Sequence, residues 1–305
     1  MSADLPAEGR GPPAQILRVA LLPPLGYGAA LWSGTMLPFV TGVLLAALTL
    51  KAPAAPPPRA ALLLVLLAAL LPLGFVGFAG VLDQFPYLLV GFVGLVFLHA
   101  FRLQAEPRTA TIGLLLQAFA IVVPLAMRRS EQALAAASGA FLANALLAVA
   151  GLYLAFALFP GRGRAAGVTP PPAAGGAAGR TRDAALAALV MLPPFVLLMS
   201  LDAVSAMRVL FAVAIVLVAL GRRDLRETAV ESLLSALMAG AMAVAFTLLG
   251  RVWPDPAAGL LVAALIGLLV APHAFAGRHR GAVALAIPLA WVMIGVAPGS
   301  TVGKT

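Results

Sequence analysis

Long apolar runs separated by short polar punctuation make up most of the chain. The runs lie at 14–32, 35–50, 60–82, 85–101, 109–127, 132–159, 184–201, 203–221, 228–250, 255–275 and 281–298. A helix needs about 20 apolar residues to cross a hydrocarbon core, and most of these runs approach that length. A lipid-exposed backbone has no water to bond, so each crossing segment must satisfy its own hydrogen bonds. The runs are rich in Ala and Leu and lack the period-two alternation of barrel strands. The pattern predicts an all-α integral membrane fold with about eleven spans. The second and fourth runs are the shortest, and dropping or splitting one weak run would give ten or twelve.

Composition points to the same solvent. Of 305 residues, 62% are hydrophobic and 10% charged, whereas soluble domains carry about 25% charged residues. The net charge of +9 would fit a nucleic-acid surface if it were clustered on one face. Instead it falls into the gaps between runs. Strict alternation puts Arg10, Arg18, Lys51, Arg59, Arg102, Arg108, Arg162, Arg164, Arg180, Arg182, Arg222, Arg223, Arg226, Arg278 and Arg280 on one side. Arg128, Arg129, Arg251 and Lys304 fall on the other, and Arg208 lies inside a span. This asymmetry predicts a cytoplasmic N-terminus and a periplasmic C-terminus in a bacterial inner membrane. It excludes nucleic acid as a partner and names the lipid bilayer as one. Residues 1–15 have no basic region leading to a small-residue cleavage site, so the first run is expected to be a retained helix.

The predicted organisation is a cytoplasmic segment 1–13, a first membrane half 14–159 of six spans and a cytoplasmic linker 160–183. A second half 184–298 of five spans and a short periplasmic tail 299–305 follow. The linker's Gly, Pro, Ala and Arg content describes a flexible connection. The halves repeat short motifs in order. Leu22-Pro23-Pro24 returns as Leu192-Pro193-Pro194 and Pro86 as Pro256, both 170 residues on. His99-Ala100-Phe101 returns as His273-Ala274-Phe275 and Pro124 as Pro298, both 174 on. One added helical turn accounts for the step. Spans one and seven run in the same direction, so the expected architecture is two parallel five-helix repeats plus a connecting helix, the sixth span.

Polar and helix-breaking residues inside spans are the candidate functional residues. Pro23 and Pro24, with Gly26 and Gly28, and Pro193 and Pro194 are expected to break spans one and seven at matching places, a pattern that marks transporter binding sites. A packing kink is the plainer alternative. Arg208 offers a planar donor fork to an anionic substrate, or snorkels and pairs with Asp202. Gln117 and Asn144 line a path or bridge helices, and bridging is favoured. His99, His273, Glu231 and Asp202 are candidate proton-relay groups. Interfacial hydrogen bonding for the histidines and pairing of Glu231 with Arg222, Arg223 or Arg226 are the structural alternatives. With no cysteine, no metal-ligand cluster and no nucleophile–base arrangement, neither enzyme activity nor a cofactor or metal is expected. The tail "GSTVGKT" lacks the spacing and the strand–helix context of a phosphate-binding loop.

The segments "LRVALLPPLGYGAALW", "MLPFVTGVLLAALTLKAPAAPPPRAALLLVLLAALL" and "DQFPYLLVGFVGLVFLHAF" resemble the membrane domain of the fusaric acid resistance clan. The likeness covers 16–159 best. It implies an inner-membrane exporter of small amphipathic aromatic acids, driven by protons. It also implies a periplasmic membrane-fusion protein and an outer-membrane channel as partners, with a homo-oligomer among the expected states. The chain lacks the large cytoplasmic domains of full-length members. An assembly or anchoring subunit without transport activity is the alternative, and an enzyme acting on lipid or polyprenyl substrates a more distant one.

Reporter fusions give the first test. A reporter inserted within 160–183 is expected to be active in the cytoplasm, and periplasmic exposure there would overturn the topology.

Overall fold

The computed structural model describes residues 13–35, 37–51, 55–82, 84–106, 109–127, 130–160, 177–200, 210–215, 217, 225–252, 255–275 and 280–294. The described helices include α1 (Pro13–Trp32), α2 (Pro38–Lys51), α3 (Pro58–Leu82), α4 (Pro86–Gln104) and α5 (Ala110–Met127). The series continues with α6 (Glu131–Leu158), α7 (Ala177–Ser200), α8 (Leu225–Val252), α9 (Pro256–Phe275) and α10 (Arg280–Ile294). Residues 210–215, within the predicted eighth span, are also helical. Seven of the described helices are long and apolar enough to cross a membrane, and α2, α8 and α10 contain shorter apolar helical segments. The protein is an all-α, multi-pass membrane protein.

Local sequence explains where the helices start. Four of them, α2, α3, α4 and α9, begin at proline, whose fixed φ and missing N–H suit the first helical position. Ser130 caps α6 by accepting the Ala133 N–H at 3.0 Å, and Asp255 Oδ1 accepts the Ala257 N–H at 3.0 Å ahead of α9. Gly34, at φ 71°, turns the chain between α1 and α2 in a region that L side chains rarely adopt. The helix α7 starts at Ala177, inside the stretch predicted as linker. An apolar run measures the hydrocarbon crossing, and a helix can continue past it into polar surroundings.

The helix α1 lies near the centre, packed on α2, α6 and α9. The helix α2 also meets α6 and α10, while α10 packs on α8 and α9. At the other side of the bundle α4 packs on α5 and α7, and α3 on α5 and α6. Ends assigned to one side by the charge pattern do meet. Gln15 Nε2 donates weakly to the Leu50 carbonyl at 3.5 Å, and Tyr153 Oη donates to Pro56 O at 2.8 Å. Arg180 pairs with Glu106 at 3.5 Å. Outward faces carry apolar residues at one-turn spacing, as at Leu62, Leu66, Leu70 and Leu73 of α3 and Leu261, Leu265 and Leu269 of α9. Such stripes are stable against lipid tails and not against water.

Two glycines let backbones touch. A Cβ on Gly267 of α9 would lie 2.5 Å from the Ala20 carbonyl oxygen of α1. On Gly113 of α5 it would lie 2.5 Å from the Ala100 carbonyl oxygen of α4. Gly267→Ala is therefore expected to lower stability by about 1–3 kcal/mol. Gly74→Ala, facing open space on α3, serves as the neutral control. Thermal unfolding of the two purified variants in detergent makes the comparison, and equal midpoints would refute the close-contact assignment.

Candidate functional site

The proline-bearing stretch of α1 is buried, including Pro23, Pro24, Gly26, Tyr27 and Gly28. The prolines do not break the helix. It runs unbroken from Pro13 to Trp32, correcting the expectation of an interrupted span, and α7 likewise runs through Pro193 and Pro194. A helical proline removes only its own donor and displaces one carbonyl, and neighbouring helices can hold the rest in place. The two motifs also differ in setting. Pro193 is exposed and Pro194 half-buried, while their neighbours Met191 and Phe195 point into the core.

Beside Pro24 an apolar cleft opens between α1, α8, α9 and α10. It is a shallow recess, with an enclosed volume of only about 20 Å³. Val19, Ala20 and Pro24 form one wall, and Phe246, Gly267 and Trp291 help form the others. The Trp291 ring is held from behind. It lies 5.4 Å from the Tyr27 ring between centroids, and a Cβ on Gly42 would meet it at 3.1 Å. Among the described residues its lining is apolar and uncharged, with an aromatic wall at Trp291.

The interior amides join helices elsewhere. Asn144 Oδ1 accepts from Thr41 Oγ1, and Asn144 Nδ2 donates to Ala140 O at 2.7 Å. This ties α6 to α2, as the bridging alternative holds. Gln104 Nε2 donates to Gln117 Oε1 at 2.7 Å, tying α4 to α5, and Gln117 Nε2 is buried without an acceptor. Neither Gln117 nor Asn144 lines the cleft.

His99 and His273 are both exposed. His99 Nδ1 donates to Leu95 O at 2.8 Å, and His273 Nδ1 to Leu269 O at 3.1 Å. A carbonyl can only accept, so each Nδ1 carries the hydrogen. Each ring is thus held by its own helix, and the pair does not assemble a relay. Glu231 is half-buried with its carboxylate against α10, where a Cβ on Gly281 would lie 2.8 Å from Oε2. Arg208 and Asp202, and Arg222, Arg223 and Arg226, lie outside the residues whose side chains are described. No cluster of three or more metal-ligating residues occurs among the described residues.

One charged residue of the interior was counted in the sequence as a flanking charge. Arg18 of α1 is only 2% exposed. Its Nε donates to Ala14 O at 3.2 Å, its guanidinium carbon stands 4.0 Å over the Phe156 ring of α6, and its Nη1 is buried with no acceptor. Helical periodicity separates this face from the cleft wall formed by Ala20 and Pro24. Its position near a span end gave no sign of burial, because a sequence does not show which neighbour covers it.

No family model matches this chain, and neither a curated protein nor a solved structure does.

Removing the hydroxyl in Thr41→Val would leave the Asn144 Oδ1 lone pairs without their buried donor. The expected cost is about 0.5–2 kcal/mol, read as a lower unfolding midpoint in detergent. A midpoint equal to that of the unmodified protein would show that the bond does not bridge the helices.

Proposed function

We propose that the chain is a bacterial inner-membrane component that exports small amphipathic, aromatic organic acids, built as two parallel five-helix repeats with α6 as the connector. The observation that carries this reading is reciprocal packing around an apolar cleft at the junction of the halves. In the proposed duplication α7 is the counterpart of α1, and α9 the counterpart of α4. The contacts α1 on α9 and α4 on α7 are then one contact made twice. The pairs α4–α5 and α9–α10, and α3–α5 and α8–α10, follow the same rule. A two-fold axis along the membrane normal generates such pairs, and transporters with parallel repeats bind substrate where the halves meet. The equivalent own-helix bonds of His99 and His273 support the duplication as well.

In this reading the cleft holds the aromatic body of the substrate. Arg208 supplies the anion-binding fork, and proton coupling runs through Asp202 and Glu231. The motif likeness of 16–159 to the fusaric acid resistance clan supports the substrate class and a periplasmic adaptor as partner. It rests on those motifs alone.

A growth challenge of a deletion strain across aromatic acids tests the reading. The unmodified chain is expected to restore resistance. Arg208→Ala should abolish it at an unchanged protein level, and Ala263→Phe, which fills the cleft from α9, should lower it. Full resistance in both variants would sink the proposal.

A further inference from the structure

We propose that Arg18 is an oxyanion-binding site at the N-terminal end of α1, on a face separate from the cleft, taking the carboxylate of a small acid or a phosphate. The inference goes beyond the export reading and does not rest on it.

Arg18 stays charged at any physiological pH, and a buried charge needs a partner of opposite sign or a full set of acceptors. Among the described residues its surroundings supply neither. The Nε bond to Ala14 O uses one of five guanidinium donors. Phe156 supports the guanidinium carbon at 4.0 Å, a favourable cation–π contact that neutralises nothing. Nη1, with two further N–H groups, is buried and unpartnered.

The side chain also points to the right place for an anion. It folds back toward the start of α1, as the Nε bond to Ala14 requires. The backbone dipoles of α1 add positive potential toward its N-terminal end. Gln15, 1% exposed, lies three residues before Arg18 in α1. Its amide makes only a 3.5 Å bond to Leu50 O, which leaves donor capacity at the same end. A planar fork beside a helix N-terminus is the chemistry that holds carboxylate or phosphate. The site occurs once. In the proposed duplication the position 170 residues beyond Arg18 is Ala188, so the second half carries no charge there.

The test is thermal unfolding of the purified full chain in neutral phosphatidylcholine nanodiscs. Sodium benzoate, sodium phosphate and a short-chain phosphatidic acid are each titrated against sodium chloride at equal ionic strength. At least one oxyanion is expected to raise the midpoint by several degrees where chloride does not. Arg18→Gln should abolish the rise, and Arg18→Lys, which keeps the charge and loses the fork, should need about tenfold more anion. A response to benzoate identifies a carboxylate site. A response to phosphate and phosphatidic acid identifies a phosphate site, and phosphatidic acid alone identifies a lipid headgroup. No oxyanion-specific rise in the unmodified protein, or an equal rise in Arg18→Gln, overturns the proposal. If neither variant folds, hydrogen exchange of the unmodified protein decides. Exchange over residues 13–20 should slow with the oxyanion and not with chloride, and unchanged exchange overturns the site. Loss of resistance in the growth challenge leaves these readouts untouched, and their failure leaves the export reading standing.

Discussion

Close approach of helix backbones is the constraint from which the rest of this bundle follows. Lipid tails are as apolar as leucine, so no hydrophobic force favours one helix neighbour over lipid. Packing at short range must do the selecting. It does so where α9 meets α1 at Gly267 and Ala20, and where α5 meets α4 at Gly113 and Ala100. These contacts leave no room for even a methyl group, so each specifies a register as well as a partner. With α2 and α6 also against it, α1 is covered on several sides, and Pro23, Pro24, Gly26, Tyr27 and Gly28 are buried as a result. The cleft beside Pro24 lies along this same helix.

Buried polar side chains among the described residues follow a second rule, that nearly all of them are bonded. Thr49, Ser138, Thr247, His99 and His273 bond to carbonyls three or four residues back in their own helices. Such bonds cost little and tie nothing together. Asn144 with Thr41, and Gln104 with Gln117, reach across helices instead. Two buried donors escape the rule, Nη1 of Arg18 and Nε2 of Gln117. The second is a neutral amide, already anchored through its oxygen. The first belongs to a full charge, and the price of burying an unpaired ion is several kcal/mol even after relaxation. That difference singles out Arg18 among the interior polar groups.

In the described structure an apolar recess and the buried charge lie apart. The cleft offers shape and aromatic surface, and its wall carries no charged residue. Charge sits apart, at Arg18 on another face of α1. An amphipathic acid needs both kinds of contact, and the export reading places them on different helices around the junction of the halves.

The sequence alone determined what depends on composition along one dimension. Apolar length set the crossings, prolines set four helix starts, and ordered motifs 170 and 174 residues apart set the expectation of a repeat. These are local properties, since a residue's cost in lipid and its effect on its own helix hardly depend on distant neighbours. Only the tertiary structure decided which way each helix faces. Pro23 and Pro193 have the same local sequence, yet one is buried and the other exposed. Asn144 and Gln117 read alike as interior amides, and a partner on another helix gave each its role. Arg18 looked like a flanking charge because burial is set by the rotation of α1 against α2 and α6. That rotation is chosen by many weak van der Waals contacts between distant residues, and no single residue of the chain records it.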